Sequence, residues 1–184
     1  MRPTRLASLL PITLIASTLF AAAAEPSAES IITSAETQAQ SQHKNVLVTF
    51  DASWCGNCRL FDRMLADPVI GPLMSKSFVH VDLTTGERPG DTLHSNTPGG
   101  LAYQDSLGGK NAGWPYLAML DPTGKLLVDS FRPDHGKQHA DNIGYPATAA
   151  EIAWFVHMLQ VAAPHLTAAE LTSVQTWLQR HSPV

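Results

Sequence analysis

The chain holds two cysteines, Cys55 and Cys58, within Ser-Trp-Cys-Gly-Asn-Cys-Arg-Leu-Phe at residues 53–61. Thiols three residues apart suit three chemistries: a redox couple, half of a metal site, or a structural bridge. A bridge this short constrains little of the unfolded chain, because loop-closure entropy grows with loop length. Structural zinc takes four ligands, and one such pair supplies two. His135 and His139 are four apart, but they fall in a stretch with no helical pattern. Covalent haem attachment needs a histidine directly after the second cysteine, and residue 59 is arginine. Haem is excluded; the metal and bridge readings stay open.

The redox reading has a positive argument. Residues 45–53 are β-branched and apolar and read as a buried strand. After the cysteines, Leu60, Phe61, Met64 and Leu65 recur at helical spacing. Cys55 therefore stands at a helix start, facing unpaired N–H groups and the positive end of the helix dipole. Both favour thiolate over thiol, and the thiolate is the nucleophile. Cys58 lies about one turn further on. Cys55 would attack a partner's disulfide, and Cys58 would then attack Cys55 and release the partner reduced. Run backwards, the same steps oxidise a dithiol. Arg59 would add positive potential beside Cys58, or would be a solvated helix residue.

Other elements must hold this junction in place. Residues 29–44 read as an amphipathic helix with Ile31, Ile32, Ala35 and Ala39 on one face. Pro68 restarts a short helix after the one that carries Cys58. Residues 77–83 read as a second buried strand. From Thr84 to Gly113 the chain is rich in Gly, Pro, Ser, Thr and Asn, with a short helix expected at 101–107. A loop of that length inside a compact domain is usually functional or partly structured. Residues 115–131 read as two strands around the turn Asp121-Pro122-Thr123-Gly124. A second irregular stretch spans 132–146. Two helices then begin with Thr-Ala-Ala-Glu, and Thr148/Glu151 and Thr167/Glu170 are candidate capping boxes. The helical crossover makes the first two strands parallel. The last two form an antiparallel hairpin. The expectation is an α/β fold: a small mixed sheet with helices on both faces, and the cysteines at the carboxyl end of a central strand.

The first residues are read apart from the fold. Arg2 and Arg5 precede an apolar run from about residue 6 to 20, which ends in Ala22-Ala23-Ala24. That is the layout of a cleaved secretory signal. The run is shorter than the roughly 20 residues that span a membrane, and Pro11 interrupts it. Residues 1–24 are read as the signal, with no cysteine nearby to carry a lipid. The remaining 25–184 form one domain of 160 residues, expected to act as a monomer and to stay off the membrane. Without Arg2 and Arg5 the domain carries 10 basic and 16 acidic side chains, a net of −6. There is no basic stripe, which argues against nucleic acid as a partner. An exported chain lives where disulfides persist.

The segment Val-Leu-Val-Thr-Phe-Asp-Ala-Ser-Trp-Cys-Gly-Asn-Cys at 46–58 resembles the active-site segment of the thioredoxin superfamily. The order of elements is similar from about 29 to 160, and the helix at about 167–181 is extra. The run that follows the cysteines resembles the exported subgroup that includes the C-terminal domain of the periplasmic disulfide reductase DsbD. The resemblance implies a thioredoxin fold, with a central mixed four-stranded sheet flanked by helices. It implies that Cys55 is the nucleophile and Cys58 the resolving thiol. It implies a cis-proline opposite them, which is Pro115 here; an ordinary trans proline at a strand start is the alternative. Trp114 would then offer its backbone to an extended substrate, and Trp54 would shield the cysteines and present an apolar surface. Trp154, Phe155 and Trp177 are read as core.

Three features depart from the family. Thr49 stands six residues before Cys55, where members often carry a buried acid, so either water moves the Cys58 proton or another acid substitutes; Asp51 is the nearest candidate, and its other reading is a solvated strand end or a helix cap. Asn57 replaces the proline that thioredoxin has between its cysteines, which leaves the direction of electron flow open. The 84–113 segment is longer than in a minimal thioredoxin. The reading is an exported thiol–disulfide oxidoreductase, periplasmic or secreted, acting as a reductase without cofactor or metal. Its partners are protein thiols or disulfides and an upstream redox partner. The rival is a thioredoxin-like binding module with a fixed disulfide, which a buried Cys55 would favour. A third reading is metal delivery by the two thiolates.

Overall fold

The computed structural model describes residues 25–133 and 141–183; the signal expected at 1–24 and the pair His135/His139 lie outside them. The first described element is helix α1, Ala28–Gln42. The Ser27 hydroxyl accepts from the Ser30 N–H and so caps its first turn. Ala28, Ile32, Ala35 and Ala39 form its buried stripe, while Ile31 is only half-buried. Strand β1, Asn45–Asp51, follows, then α2, Gly56–Leu65, α3, Ile70–Ser77, and β2, Phe78–Thr84. Helix α4, Gly100–Ser106, lies within the long loop. Strands β3, Tyr116–Leu120, and β4, Leu126–Asp129, precede helices α5, Ala149–Ala162, and α6, Ala168–His181.

The sheet runs β2-β1-β3-β4. β1 pairs with β2 in parallel, from Asn45↔Phe78 to Asp51↔Thr84, and with β3 antiparallel, where Phe50 faces Tyr116. The two inner strands, β1 and β3, are apolar runs because both their faces are covered. Val46, Val48 and Phe50 pack towards α1, together with Tyr116, Ala118 and Leu120. Leu47, Leu117 and Met119 pack on the other face with Phe61, Met64 and Phe155. Fully burying one such side chain contributes about 1.5–3 kcal/mol. This is an α/β thioredoxin fold.

β2 differs from the buried strand that its apolar alternation suggests. Among the described residues it is an edge strand, paired only with β1, and His80 and Asp82 on it are exposed. The restart of the helix also shifts. Pro68 lies in the turn, and α3 begins at Ile70, because the Asp67 carboxylate accepts from the N–H groups of Val69 (2.8 Å) and Ile70 (3.1 Å). The β3–β4 turn follows its residues: Asp121 accepts from the Thr123 N–H, and Gly124 takes φ 83°. Both capping boxes form, at Thr148/Glu151 and Thr167/Glu170. Phe155 is buried edge-on to Phe61, while Trp154 and Trp177 are half-buried. Their indole N–H groups donate to Asp129 O and to an Asp67 carboxylate oxygen. Among the described residues no helix is long and apolar enough to cross a membrane.

Candidate functional site

β1 ends where the chain must leave the sheet, and Cys55 becomes the N-cap of α2 in extended conformation. Its Sγ accepts from the Cys58 backbone N–H at 3.0 Å. Ser, Thr, Asp and Asn fill this position in most helices because their oxygen takes up an orphan N–H. Here sulfur does so, which directs the helix's free donors at the atom that would carry thiolate charge. Cys55 and Cys58 are joined as a disulfide with Cα atoms 5.3 Å apart. Both are buried, at 4% and 2% exposure, with Ala52 and against Trp114.

The cover comes from the start of the long loop. The Trp54 indole donates to Gly86 O at 2.8 Å and meets the Trp114 ring edge-on at 5.6 Å between centroids. The Arg88 guanidinium sits 5.0 Å from the Trp54 ring centre, a cation–π contact. Trp114 donates to the Thr85 hydroxyl at 3.1 Å. Glu87 takes both donors of Ser53, the N–H at 2.6 Å and the hydroxyl at 2.9 Å. Arg59 donates to Ser53 O at 3.0 Å, so its charge is tied to this turn. Residues 85–88 thus form a strap across the turn that carries the cysteines. Gly86 permits it: a Cβ there would lie 2.6 Å from the Trp114 ring and 2.8 Å from the Ala52 methyl.

The Trp114–Pro115 bond is cis. Trp54 remains 40% exposed at the rim, while Trp114 is half-buried. Cys55, Cys58, Trp54 and Trp114 therefore come together, with Pro115 leading into β3.

Towards the carboxyl end of β1 and on the neighbouring edge strand the sheet carries polar side chains. Thr49 is buried, and its hydroxyl is 2.8 Å from His80 Nε2, which also stands 3.2 Å from an Asp82 oxygen. Two residues on, Asp51 lies opposite Thr84 on β2. Its Oδ1 is buried and has no hydrogen-bond partner among the described residues. Burial is the main cause that raises the Asp51 carboxyl above its ordinary pKa of 3.8; a Thr84 side-chain bond opposes this, and Asp82, Asp62 and Glu87 add to it. Burial also raises Asp62 on α2, with help from Asp82.

Sequence reasoning missed the strap residues Thr85, Gly86, Glu87 and Arg88, and also His80. One signal was present. The loops that leave the carboxyl ends of adjacent parallel strands share an edge of the sheet, and ligands bind at that edge in α/β folds. Glu87, Asp91 and His94 also bring three possible ligand atoms within 4.8 Å of one another. Their carboxylates are already engaged, with Ser53 and with the N–H groups of Leu93 and His94.

A model of the thioredoxin-like family matches residues 28–122, half of the chain. Among solved structures, a disulphide isomerase from Xylella fastidiosa Temecula1 is 23% identical, with a TM-score of 0.45 over 65% of this chain and 80% of that one. A DsbH oxidoreductase is 18% identical, with 0.43 over 82% and 95%. A thioredoxin-fold protein from Helicobacter pylori is 15% identical, with 0.36 over 76% and 84%. No curated protein matches this sequence.

Proposed function

This chain belongs to the thioredoxin-like family, and on that premise we propose that it is an exported thiol–disulfide oxidoreductase that reduces disulfides in proteins. One observation carries the reading: Cys55 caps α2 through its sulfur and is joined to Cys58 one turn away, at the carboxyl end of a central strand. Such a sulfur is stabilised as thiolate and is placed to attack. In the reduced enzyme the Cys55 thiolate attacks one sulfur of a client disulfide. A mixed disulfide forms, and the other client sulfur leaves as thiolate. Cys58 gives up its proton and attacks the Cys55 sulfur. The Cys55–Cys58 bond forms and the client leaves with both sulfurs reduced. An upstream dithiol then reduces the pair and is itself oxidised.

Asp51 is the acceptor we assign to the Cys58 proton. Burial supports this, because it raises the carboxyl above its ordinary pKa, which favours the protonated form. Trp54, Trp114 and Pro115 form the client groove. The acting unit is residues 25–184, in the periplasm or secreted, after loss of the signal. The test is a client trap. Cys58→Ser should accumulate a mixed disulfide with a client protein, and Cys55→Ser should accumulate none. Turnover of insulin disulfides that survives Cys55→Ser would overturn the reading.

One observation favours a second reading. Cys55 is only 4% exposed, as a binding module with a fixed bridge would have it. Alkylation by iodoacetamide after mild reduction separates the two. A redox enzyme labels at Cys55 well before Cys58, whereas a fixed bridge labels at neither.

A further inference from the structure

We propose that Asn142 is a positioning residue for the client groove, holding the main chain on both sides of Trp114; this rests on the oxidoreductase reading above. Asn142 lies within the second irregular stretch, 132–146, and forms an isolated bridge with Phe131, next to the β4 edge. Its carboxamide nitrogen donates to Gly113 O at 2.7 Å and to Pro115 O at 2.9 Å. These carbonyls flank Trp114, so one planar group fixes the path of the chain through the segment that faces the cysteines.

The clamp is itself held. Asn142 Oδ1 accepts from the Ser130 hydroxyl at 2.6 Å and from the Gly144 N–H at 3.4 Å. Ser130 is fully buried, and its oxygen accepts from the Leu117 N–H at 2.9 Å, on β3. The main chain adds bonds from Ser130 N to Leu117 O and from Ile143 N to Ser130 O. A chain of hydrogen bonds therefore runs from β3 through Ser130 and Asn142 to the carbonyls of Gly113 and Pro115. A carboxamide alone among side chains offers two donors and an acceptor in one plane. Asp in its place would set a carboxylate against two carbonyl oxygens. Gly144 completes the packing at φ 53°, a conformation that a side chain rarely adopts.

This bears on client choice rather than on the sulfur chemistry. An extended client must meet the Trp114 main chain in a fixed geometry, whereas a small disulfide needs only the sulfur. The test compares insulin with bis(2-hydroxyethyl) disulfide in wild type, Asn142→Ala and Asn142→Asp. Melting temperature and hydrogen exchange at Gly113–Tyr116 are followed alongside. We expect KM for insulin to rise about tenfold in both variants, with kcat for the small disulfide within about twofold of wild type. Exchange in that segment should quicken about tenfold while the fold stays intact. Asn142→Asp preserves side-chain size, so it answers the question if Asn142→Ala unfolds. Equal loss on both disulfides, or no change in either, overturns the role of Asn142 alone. Wild-type protein inert towards both overturns the oxidoreductase reading and this inference with it.

Discussion

Two sulfurs one helical turn apart meet different surroundings, and the proposed exchange gives them different roles. Cys55 sits at the cap and accepts an N–H; Cys58 lies inside the first turn of α2. Cys55→Ser should abolish exchange, and Cys58→Ser should retain attack but stall at the mixed disulfide, as non-reducing electrophoresis would read. Asp51 is the residue to which the proposed mechanism assigns the Cys58 proton. Its folded pKa is raised, so burial favours the protonated carboxyl. The stability it contributes is fully present below the ordinary value of 3.8 and is lost as pH rises through the raised one. Asp51→Asn should thus melt higher than wild type at pH 7, by ~2–4 °C for each kcal/mol relieved. The gain should vanish below about pH 4. The same variant should slow release of the mixed disulfide. A stability gain that persists at low pH would contradict the assignment of burial as the cause.

At the scale of elements, the two capping boxes and the strap make separate predictions. Thr148→Ala and Thr167→Ala should each cost about 1 kcal/mol, seen as a fall in melting temperature. Gly86→Ala forces a methyl into the Trp114 ring and Ala52. It should cost about 1–3 kcal/mol and change the tryptophan fluorescence, because it lifts the strap. Unchanged fluorescence would mean that the strap re-forms around the methyl. These elements differ in how legible they were. α1, β1 and the two Thr-Ala-Ala-Glu helices follow from periodicity and caps, and the Asp121–Gly124 turn from its residue types. The strap and the Asn142 clamp do not follow, because their contacts join residues some 27 to 34 positions apart and leave no local period. β2 was misjudged as buried because alternation does not tell an edge strand from an inner one. His80 and Asp82 show the difference.

For the whole molecule, the cysteines lie where the carboxyl ends of β1 and β2 deliver their loops to one rim, and Asp82, Asp62 and Glu87 act electrostatically on Asp51 at the end of β1. The mixed sheet with helices on both faces was legible from the order of elements, and the thioredoxin fold from the resemblance carried by residues 46–58. Direction of electron flow was not, because potential depends on what surrounds both sulfurs in both states. Export is tested simply: expressed with residues 1–24 in a Gram-negative host, the chain should be recovered from the periplasm beginning at Glu25. The central claim is that the Cys55–Cys58 bond is exchanged rather than fixed. Its most direct test is the reduction potential of that pair, equilibrated against glutathione, with Cys55→Ser as control. The account predicts a reversible couple between about −270 and −120 mV, with reductase function placing it near the lower figure. A bond that stays closed to below about −300 mV would contradict it and leave a binding module with a structural bridge.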